Sequence, residues 1–391
     1  MPTKLNRRTL LQGGLGAAGL VAIGQSSRAA GPAFAVDEIR TISQQPNLYH
    51  GWPTVARRKS GELLLVCSGG REQHVDPFGR VELMRSKDDG KTWTWPQVVI
   101  DTAIDDRDAG VLETHKGTIL ITTFTSLAFE SNLSWSEREM AAGKKGYGAA
   151  KTARWQSARD RLTPEQRKAS LGVWMIRSTD SGVSWSARYD CLVDSPHGPF
   201  QLVDGRQLYA GVDLWRPGRE VRVCESKDDG QSWQVLGRIP ARSGDDAKNY
   251  HELHGVEAND GRIVVQIRNH NKANAGETLQ THSTDGGKTW SVPRSIGVWG
   301  LPSHLLKLTD GRLLMTYGHR RPPLGNQARV SGDNGRTWSA AMIFHGNATS
   351  GDLGYPSTVQ LGDGSLLSIW YESMTGSAKA VLRQAHWRLT G

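Results

Sequence analysis

At 391 residues, with 37% hydrophobic and 22% charged residues, the chain is long enough to bury a substantial core, and its regular apolar pattern argues against disorder. Its 45 glycines and 14 tryptophans, against 6 phenylalanines, suit many short strands and tight turns rather than a helical bundle, and the body holds no apolar run of about 20 residues, which excludes a multi-pass helical membrane protein. The formal charge of +9 drops to about +5 without Lys4, Arg7, Arg8 and Arg28 of the first 35 residues; this mild excess argues weakly for an anionic ligand, and no basic run or nucleic-acid motif accompanies it.

The chain opens on what reads as an export signal. Asn6-Arg7-Arg8-Thr9-Leu10-Leu11 precedes a weakly apolar stretch from Gly13 to Gly24 and a small-residue run ending Ala33-Phe34-Ala35. Paired arginines, a modest apolar segment and an A-x-A site predict a twin-arginine signal over residues 1–35, cleaved after Ala35 or near Ala30. A periplasmic or secreted protein, free of the membrane after cleavage, is the expectation. Cys67, Cys191 and Cys224 lie far apart, so neither a disulfide framework nor a zinc pair is expected.

From residue 36 onward the chain repeats. Five copies of Ser-x-Asp-x-Gly-x-Thr/Ser-Trp begin at Ser86, Ser178, Ser226, Ser283 and Ser331, and end at Trp93, Trp185, Trp233, Trp290 and Trp338. The Asp and Ser side chains can bond nearby backbone N–H groups, Gly permits positive φ, and the Trp can pack back on the sheet. These residues read as structural. Interleaved with them are six strand–turn–strand units, with turns at Ser60-Gly61, Lys116-Gly117, Asp204-Gly205, Asp260-Gly261, Asp310-Gly311 and Asp363-Gly364. One four-stranded antiparallel sheet per 40–50 residues predicts an all-β fold, a six-bladed β-propeller over residues 36–391. The sixth blade lacks a box; Ala380–Leu389 supplies its outer part and Asp37–Ile42 closes the ring.

The first box-to-box interval is longer than the rest. Residues 129–171 fill it with helix formers, Thr163-Pro164-Glu165 marking a helix start, and predict a helical insertion in blade 2. It serves either as surface decoration or as a lid.

A propeller binds ligands near its axis, where the innermost strands converge. Polar side chains collect at the corresponding strand ends: His50 and Trp52; Arg71, His74 and Asp76; Arg107 and Asp108; His197; His251, Glu252 and His254; Arg268 and His270; His319, Arg320 and Arg321; Tyr355. Two arginines converging on one pocket would bind a carboxylate through forked hydrogen bonds.

On these boxes and strand-end motifs, over roughly residues 45–375, the chain resembles the sialidases (neuraminidases). The resemblance implies Asp76 as acid/base, Tyr355 as nucleophile in Gly354-Tyr355-Pro356-Ser357, and Glu252 as the base that takes its proton. It implies that Arg268, in Ile267-Arg268-Asn269, and Arg320 or Arg321 hold a substrate carboxylate, with Arg71 matching the arginine that ends the second strand of blade one. His50-Gly51-Trp52-Pro53 stands where the family has Arg-Ile-Pro, so one arginine is missing. His50, Arg71 or Arg107 would have to compensate, or the sugar differs; Trp52, Asp108 and His197 complete the expected binding residues. The implied activity is exo-hydrolysis of a terminal sialic acid or related acidic sugar from a glycan, by a monomer without cofactor or metal. Two alternatives stand beside it: a lyase acting on uronate-containing glycans with His50, His74, His251, His254 or a Tyr as base, and a non-catalytic carbohydrate-binding propeller.

Overall fold

The computed structural model describes residues 32–390. The expected leader lies outside them except for its last four positions, two of which, Phe34 and Ala35, belong to a strand.

Six sheets of four antiparallel strands are arranged as blades. From inner to outer strand, blade 1 is Tyr49–Arg57, Leu63–Arg71, Arg80–Ser86 and Gln97–Ile100; blade 2 is Asp105–Glu113, Ile119–Ser126, Val173–Ser178 and Tyr189–Asp190. Blade 3 is Phe200–Gln201, Gln207–Val212, Val221–Ser226 and Gln234–Arg238; blade 4 is Tyr250–Glu257, Ile263–Asn269, Thr278–Ser283 and Arg294–Ser295. Blade 5 is Ser303–Lys307, Leu313–His319, Gly325–Ser331 and Met342–His345. Blade 6 takes Leu353–Gln360, Leu366–Ser373 and Ala380–Leu389 from the end of the chain and Phe34–Thr41 from its beginning, pairing Phe34 with Leu389 and Thr41 with Arg383. This closure joins the last blade to the first part of the chain by backbone hydrogen bonds, as the six-bladed reading expects.

Side chains alternate across a strand, so a sheet packed on both faces needs apolar residues at consecutive positions. Leu63, Leu65 and Cys67 point toward blade 6, while Leu64 and Val66 point toward blade 2. The same division recurs around the ring and produces one apolar cluster between each pair of neighbouring blades.

The five repeated turns lock these interfaces. In the first, Ser86 Oγ donates to Asp88 Oδ1 at 2.8 Å and accepts from Gly90 N at 2.9 Å, while Asp88 accepts from Thr92 N at 2.9 Å. These bonds favour the ionised carboxylate and hold Asp88 down at about 2. Trp93 does not simply fold back on its own sheet: its Nε1 donates to Gln384 of blade 6 at 2.9 Å. Trp338 of blade 5 likewise reaches Gln280 of blade 4 at 2.8 Å. A β-carbon on Gly230 would meet Leu120 of blade 2 at 2.6 Å, so that glycine serves both its positive φ and close blade packing.

The insertion forms α1 (Phe129–Ala141), α2 (Ala149–Asp160) and α3 (Pro164–Ala169), the last opened by a capping box between Thr163 and Gln166. Phe129, Leu133 and Trp155 form a satellite core with Val75 and Phe78 of blade 1. Lys151 donates to Gln73 at 2.5 Å, and Arg154 pairs with Glu72. The insertion therefore braces the loop that carries Asp76 rather than projecting as a loose decoration.

Candidate active site

Four innermost strands and the segment just before a fifth share one local device: Trp52 (φ 52), Asp108 (φ 50), Glu252 (φ 44) and Tyr355 (φ 55) on the strands, and His197 (φ 72) ahead of Phe200–Gln201, all sit in the left-handed region. Four of them lie where strand register slips, at Gly51/Thr54, Arg107/Gly110, His251/Leu253 and Gly354/Ser357. A bulge re-aims a side chain that a regular strand would send into the neighbouring blade. Positive φ is uncommon for Trp and Tyr and concentrates at functional sites.

Glu252 and Tyr355 meet across the axis, from blade 4 to blade 6. The Tyr355 hydroxyl donates to Glu252 Oε1, and Arg268 donates to Glu252 Oε2 at 2.5 Å and to Tyr355 Oη at 3.2 Å. Burial alone would raise the Glu252 carboxyl, but the Arg268 charge and hydrogen bonds from Tyr355 and Arg268 hold it below the usual range. Burial, reinforced by the Glu252 charge, pushes Tyr355 well above 10. At rest the site therefore holds an ionised Glu252 bonded to a neutral Tyr355. A phenol so placed can attack an electrophilic carbon while its proton passes to the carboxylate.

The other expected residues divide. Arg320 donates through Nε and Nη2 to Leu353 O at 3.1 and 2.8 Å, and its charge acts on Glu252. Arg321 is exposed and stacks on Trp299 at 4.4 Å; of the two candidates, Arg320 faces the site. Asp108 is 8% exposed, its Oδ1 has no hydrogen-bond partner, and burial, opposed by Arg107 and aided by Glu252, raises it to about 7.

Asp76 is fully buried and makes no hydrogen bond with Glu252, Tyr355 or Arg268. Its Oδ2 accepts from Glu72 N and its Oδ1 from Phe78 N, both at 3.0 Å, and burial raises its carboxyl despite them.

Of the three residues expected to replace the missing arginine, Arg71 and His50 are engaged inside the blades, and Arg107 is not. Arg71 is fully buried and bound to Asp105 Oδ1 at 2.5 Å, to Asp106 O and to His74 O. Arg107 lies over the Trp52 ring at 4.6 Å and 4.0 Å from Asp105, and its Nε is buried without a hydrogen-bond partner. His50 sits inside blade 1, 3.6 Å from Glu82, and burial lowers it to about 4. Trp52 itself is 1% exposed, with Arg71 4.9 Å from its ring and the rings of His74, Tyr355 and Tyr371 around it. His197 points into the channel, where it meets His254 and His304 with ring centroids 5.6 and 5.0 Å away, and its Nδ1 lies 3.2 Å from Thr54 Oγ1. It does not join Glu252 and Tyr355.

Sequence reasoning missed Asp352, which accepts from Tyr49 at 3.0 Å and Tyr371 at 3.1 Å and lies 3.1 Å from His74 Nδ1. It also missed Arg219, whose Nη2 donates to His251 Nδ1 at 3.0 Å. Both occupy plain turn sequences, Ser-Gly-Asp and Arg-Pro-Gly-Arg, that carry no chemical signature. Among the described residues no group of three or more His, Cys, Asp or Glu side chains is arranged to hold a metal ion.

Residues 162–368 match the family model described as BNR repeat-like domain. A sialidase of Micromonospora viridifaciens is 24% identical over 239 residues, covering 52% of this chain and 35% of that protein. A sialidase of Clostridium perfringens is 21% identical over 320 residues, covering 78% of this chain and 64% of that protein. The chain thus spans between one-third and two-thirds of the length of these relatives. Among solved structures, a Dyadobacter fermentans protein of unknown function superposes with a TM-score of 0.71 at 24% identity, covering 92% of this chain and 100% of that one. The NanB sialidase of Streptococcus pneumoniae superposes with a TM-score of 0.60 at 16% identity, covering 90% and 70%. These likenesses match the six-bladed architecture, and the family model covers more than half of the sequence. The chain belongs to the BNR repeat-like domain family and folds as a six-bladed β-propeller.

Proposed function

We propose that this protein is an exo-glycoside hydrolase of sialidase type, releasing a terminal sialic acid or related acidic sugar from a glycan. The observation that carries the reading is the Tyr355–Glu252 hydrogen bond braced by Arg268. Most glycosidases use two carboxylates, and a Tyr nucleophile is the sialidase exception. A carboxylate next to the anomeric carbon repels an anionic nucleophile, whereas a neutral phenol becomes anionic only as it attacks.

In this mechanism Tyr355 Oη forms a bond to the anomeric carbon and its proton moves to Glu252 Oε1. The bond to the leaving oxygen breaks, and that oxygen takes a proton from Asp76. Water then cleaves the tyrosyl–sugar bond, with Asp76 accepting the water proton and Glu252 returning one to Tyr355. Arg268 and Arg320 hold the substrate carboxylate. The loop that carries Asp76 is braced by α2 through Lys151 and Arg154.

The test is a fluorogenic α-sialoside given to the wild type and to Tyr355→Phe. Release that vanishes in the folded variant supports the reading; no release from folded wild type overturns it. A uronate lyase has one observation in its favour: His74 is half exposed and oriented by Asp352 at 3.1 Å, beside Trp52. An ultraviolet-absorbing unsaturated uronate product, lost in His74→Gln, would mark that chemistry. Export through a twin-arginine signal and a monomeric state belong to the same proposal, tested by cell fractionation of an Arg7→Lys/Arg8→Lys variant and by light scattering.

A further inference from the structure

The cationic side of the site does not end at Arg268. His251 precedes Glu252 and lies directly opposite Arg268 in the register of blade 4, and His270 follows two residues after Arg268. The two imidazoles overlap, with ring centroids 4.4 Å apart and planes 31° apart. Arg219 comes to them from blade 3, held at φ 44 in the loop after Gln207–Val212, and donates to His251 Nδ1. The same Nη2 also lies 3.3 Å from His251 Nε2, so the guanidinium faces both ring nitrogens.

The charges here are unbalanced. Arg219, Arg268 and Arg320 bear on the two imidazoles, and the carboxylate that answers them is Glu252, already engaged by Arg268 and Tyr355. Among the described residues neither Arg219 nor Arg320 pairs with a carboxylate; Arg320 has only the Leu353 carbonyl, and Arg219 only an imidazole. The Nε atoms of Arg219 and Arg268 are both buried without a hydrogen-bond partner. Leaving a guanidinium N–H buried and unpaired costs free energy unless a ligand satisfies it. His270 is exposed and His251 half-buried, so the cluster opens to solvent at the rim between blades 3 and 4.

We propose that Arg219, His251 and His270 form a second anion subsite, which takes a carboxylate or sulfate carried by the residue next to the sugar over Tyr355. The preferred ligand is then a glycan with acidic groups on adjacent residues. The site answers the loss of the first arginine: where Trp52 fills the blade 1 side of the bowl, cationic donors gather on blades 3 to 5. The ligand's identity rests on the sialidase reading; the anion subsite does not.

The experiment separates the two. With 13C-labelled histidine, and His251→Gln and His270→Gln variants for assignment, sodium sulfate is titrated into the full chain and the ring resonances followed. Saturable shifts of the His251 and His270 signals, lost in Arg219→Gln and partly recovered in Arg219→Lys, are the expected result. Signals that do not move overturn the subsite. Calorimetry in the Tyr355→Phe background, which does not cleave the ligands, then compares sialyllactose, α2,8-linked disialic acid and a sialyllactose sulfated on the residue next to the sialic acid. A doubly anionic ligand should bind about tenfold tighter than sialyllactose, the equivalent of one charge-assisted pair, and the ratio should fall to about one in Arg219→Gln. The more strongly preferred of the two shows whether carboxylate or sulfate is the natural group. Equal affinities for all three ligands overturn the two-acid ligand. Histidine shifts with sulfate but no binding of any sialoside would leave the subsite standing and remove the sialidase reading instead.

Discussion

Trp52 and Tyr355 are matched residues of adjoining blades. Each precedes a proline on an innermost strand, each has positive φ, and their rings meet edge to face with centroids 6.4 Å apart. The nucleophile candidate thus rests against the side chain that occupies the place of the missing arginine. Trp52→Ala should remove a buried aromatic at a cost of about 3–5 kcal/mol, seen as a lowered unfolding midpoint. It should also lower kcat through misplacement of Tyr355; an unchanged kcat would show that the contact does not position the phenol.

Tyr355→Phe removes the hydroxyl that links Glu252 to the axis, while Arg268 still satisfies the other carboxylate oxygen. Hydrolysis of a fluorogenic sialoside should fall by at least ~10³-fold. The thermal midpoint should move by only a few degrees, since the ring itself stays packed.

Asp76→Asn tests the acid. A protonated carboxyl matters most when the leaving group is a poor one, so activity on a natural glycosidic linkage should fall about 10²–10⁴-fold, and on an aryl sialoside far less. Asp108→Asn is the control with a different pattern, because Asp108 neighbours Glu252 rather than the insertion loop. If Asp108→Asn shows the leaving-group dependence and Asp76→Asn does not, the acid has been misassigned.

Buried imidazoles give a pH signature. His254 and His304 lie stacked 4.5 Å apart in the channel, and each Nδ1 accepts a backbone N–H, from Leu305 and Thr358. Burial lowers His254 to about 3, against an ordinary value near 6.5. The unfolded chain binds the proton more readily, so the stabilisation from a neutral His254 is complete above about pH 6.5. It is lost progressively as pH falls toward 3. His254→Gln keeps an acceptor but cannot titrate. Its melting temperature should lie below that of the wild type at pH 7.5, and the gap should shrink or reverse at pH 4.5. A gap that stays constant would mean that His254 does not titrate across unfolding.

The insertion should behave as one unit with the Asp76 loop. Trp155→Ala opens the satellite core around Phe129, Leu133, Val75 and Phe78. Hydrogen exchange should accelerate in residues 72–78 and 129–160 and stay unchanged in blades 3 to 5. Acceleration confined to the helices would show that the loop holds its position alone.

Phe34 and Ala35 pair with Leu389 and Arg388 in the closing blade. Cleavage near Ala30 leaves that strand whole, while cleavage after Ala35 removes its first two residues. Under the proposed export, mass spectrometry of the cleaved protein should therefore find the mature chain beginning near Gly31, and an uncleaved chain would overturn the leader.

Much of the fold follows from local chemistry. The Ser-x-Asp-x-Gly turn satisfies its own backbone donors within eight residues, and runs such as Leu63–Cys67 bury both faces, so turn, blade count and blade order are legible in the amino acids. Glu252, Arg268 and Tyr355 could be named because their strand-end motifs carry the family resemblance. What the chain alone did not determine is which polar ends meet. Arg320 and Arg321 are neighbours of identical chemistry, and only the strand's exit angle turns one toward Glu252 and the other onto Trp299. Arg71 looked like a ligand donor, but Asp105, 34 residues later, neutralises it inside the blade 1–blade 2 interface. His197 reads like any rim histidine in the sequence, and only its positive φ and the packing of the blades set it against His254 and His304. Backbone turns are decided over a few residues, whereas charge partners and side-chain direction depend on contacts between blades tens to hundreds of residues apart. The tertiary structure alone decides those.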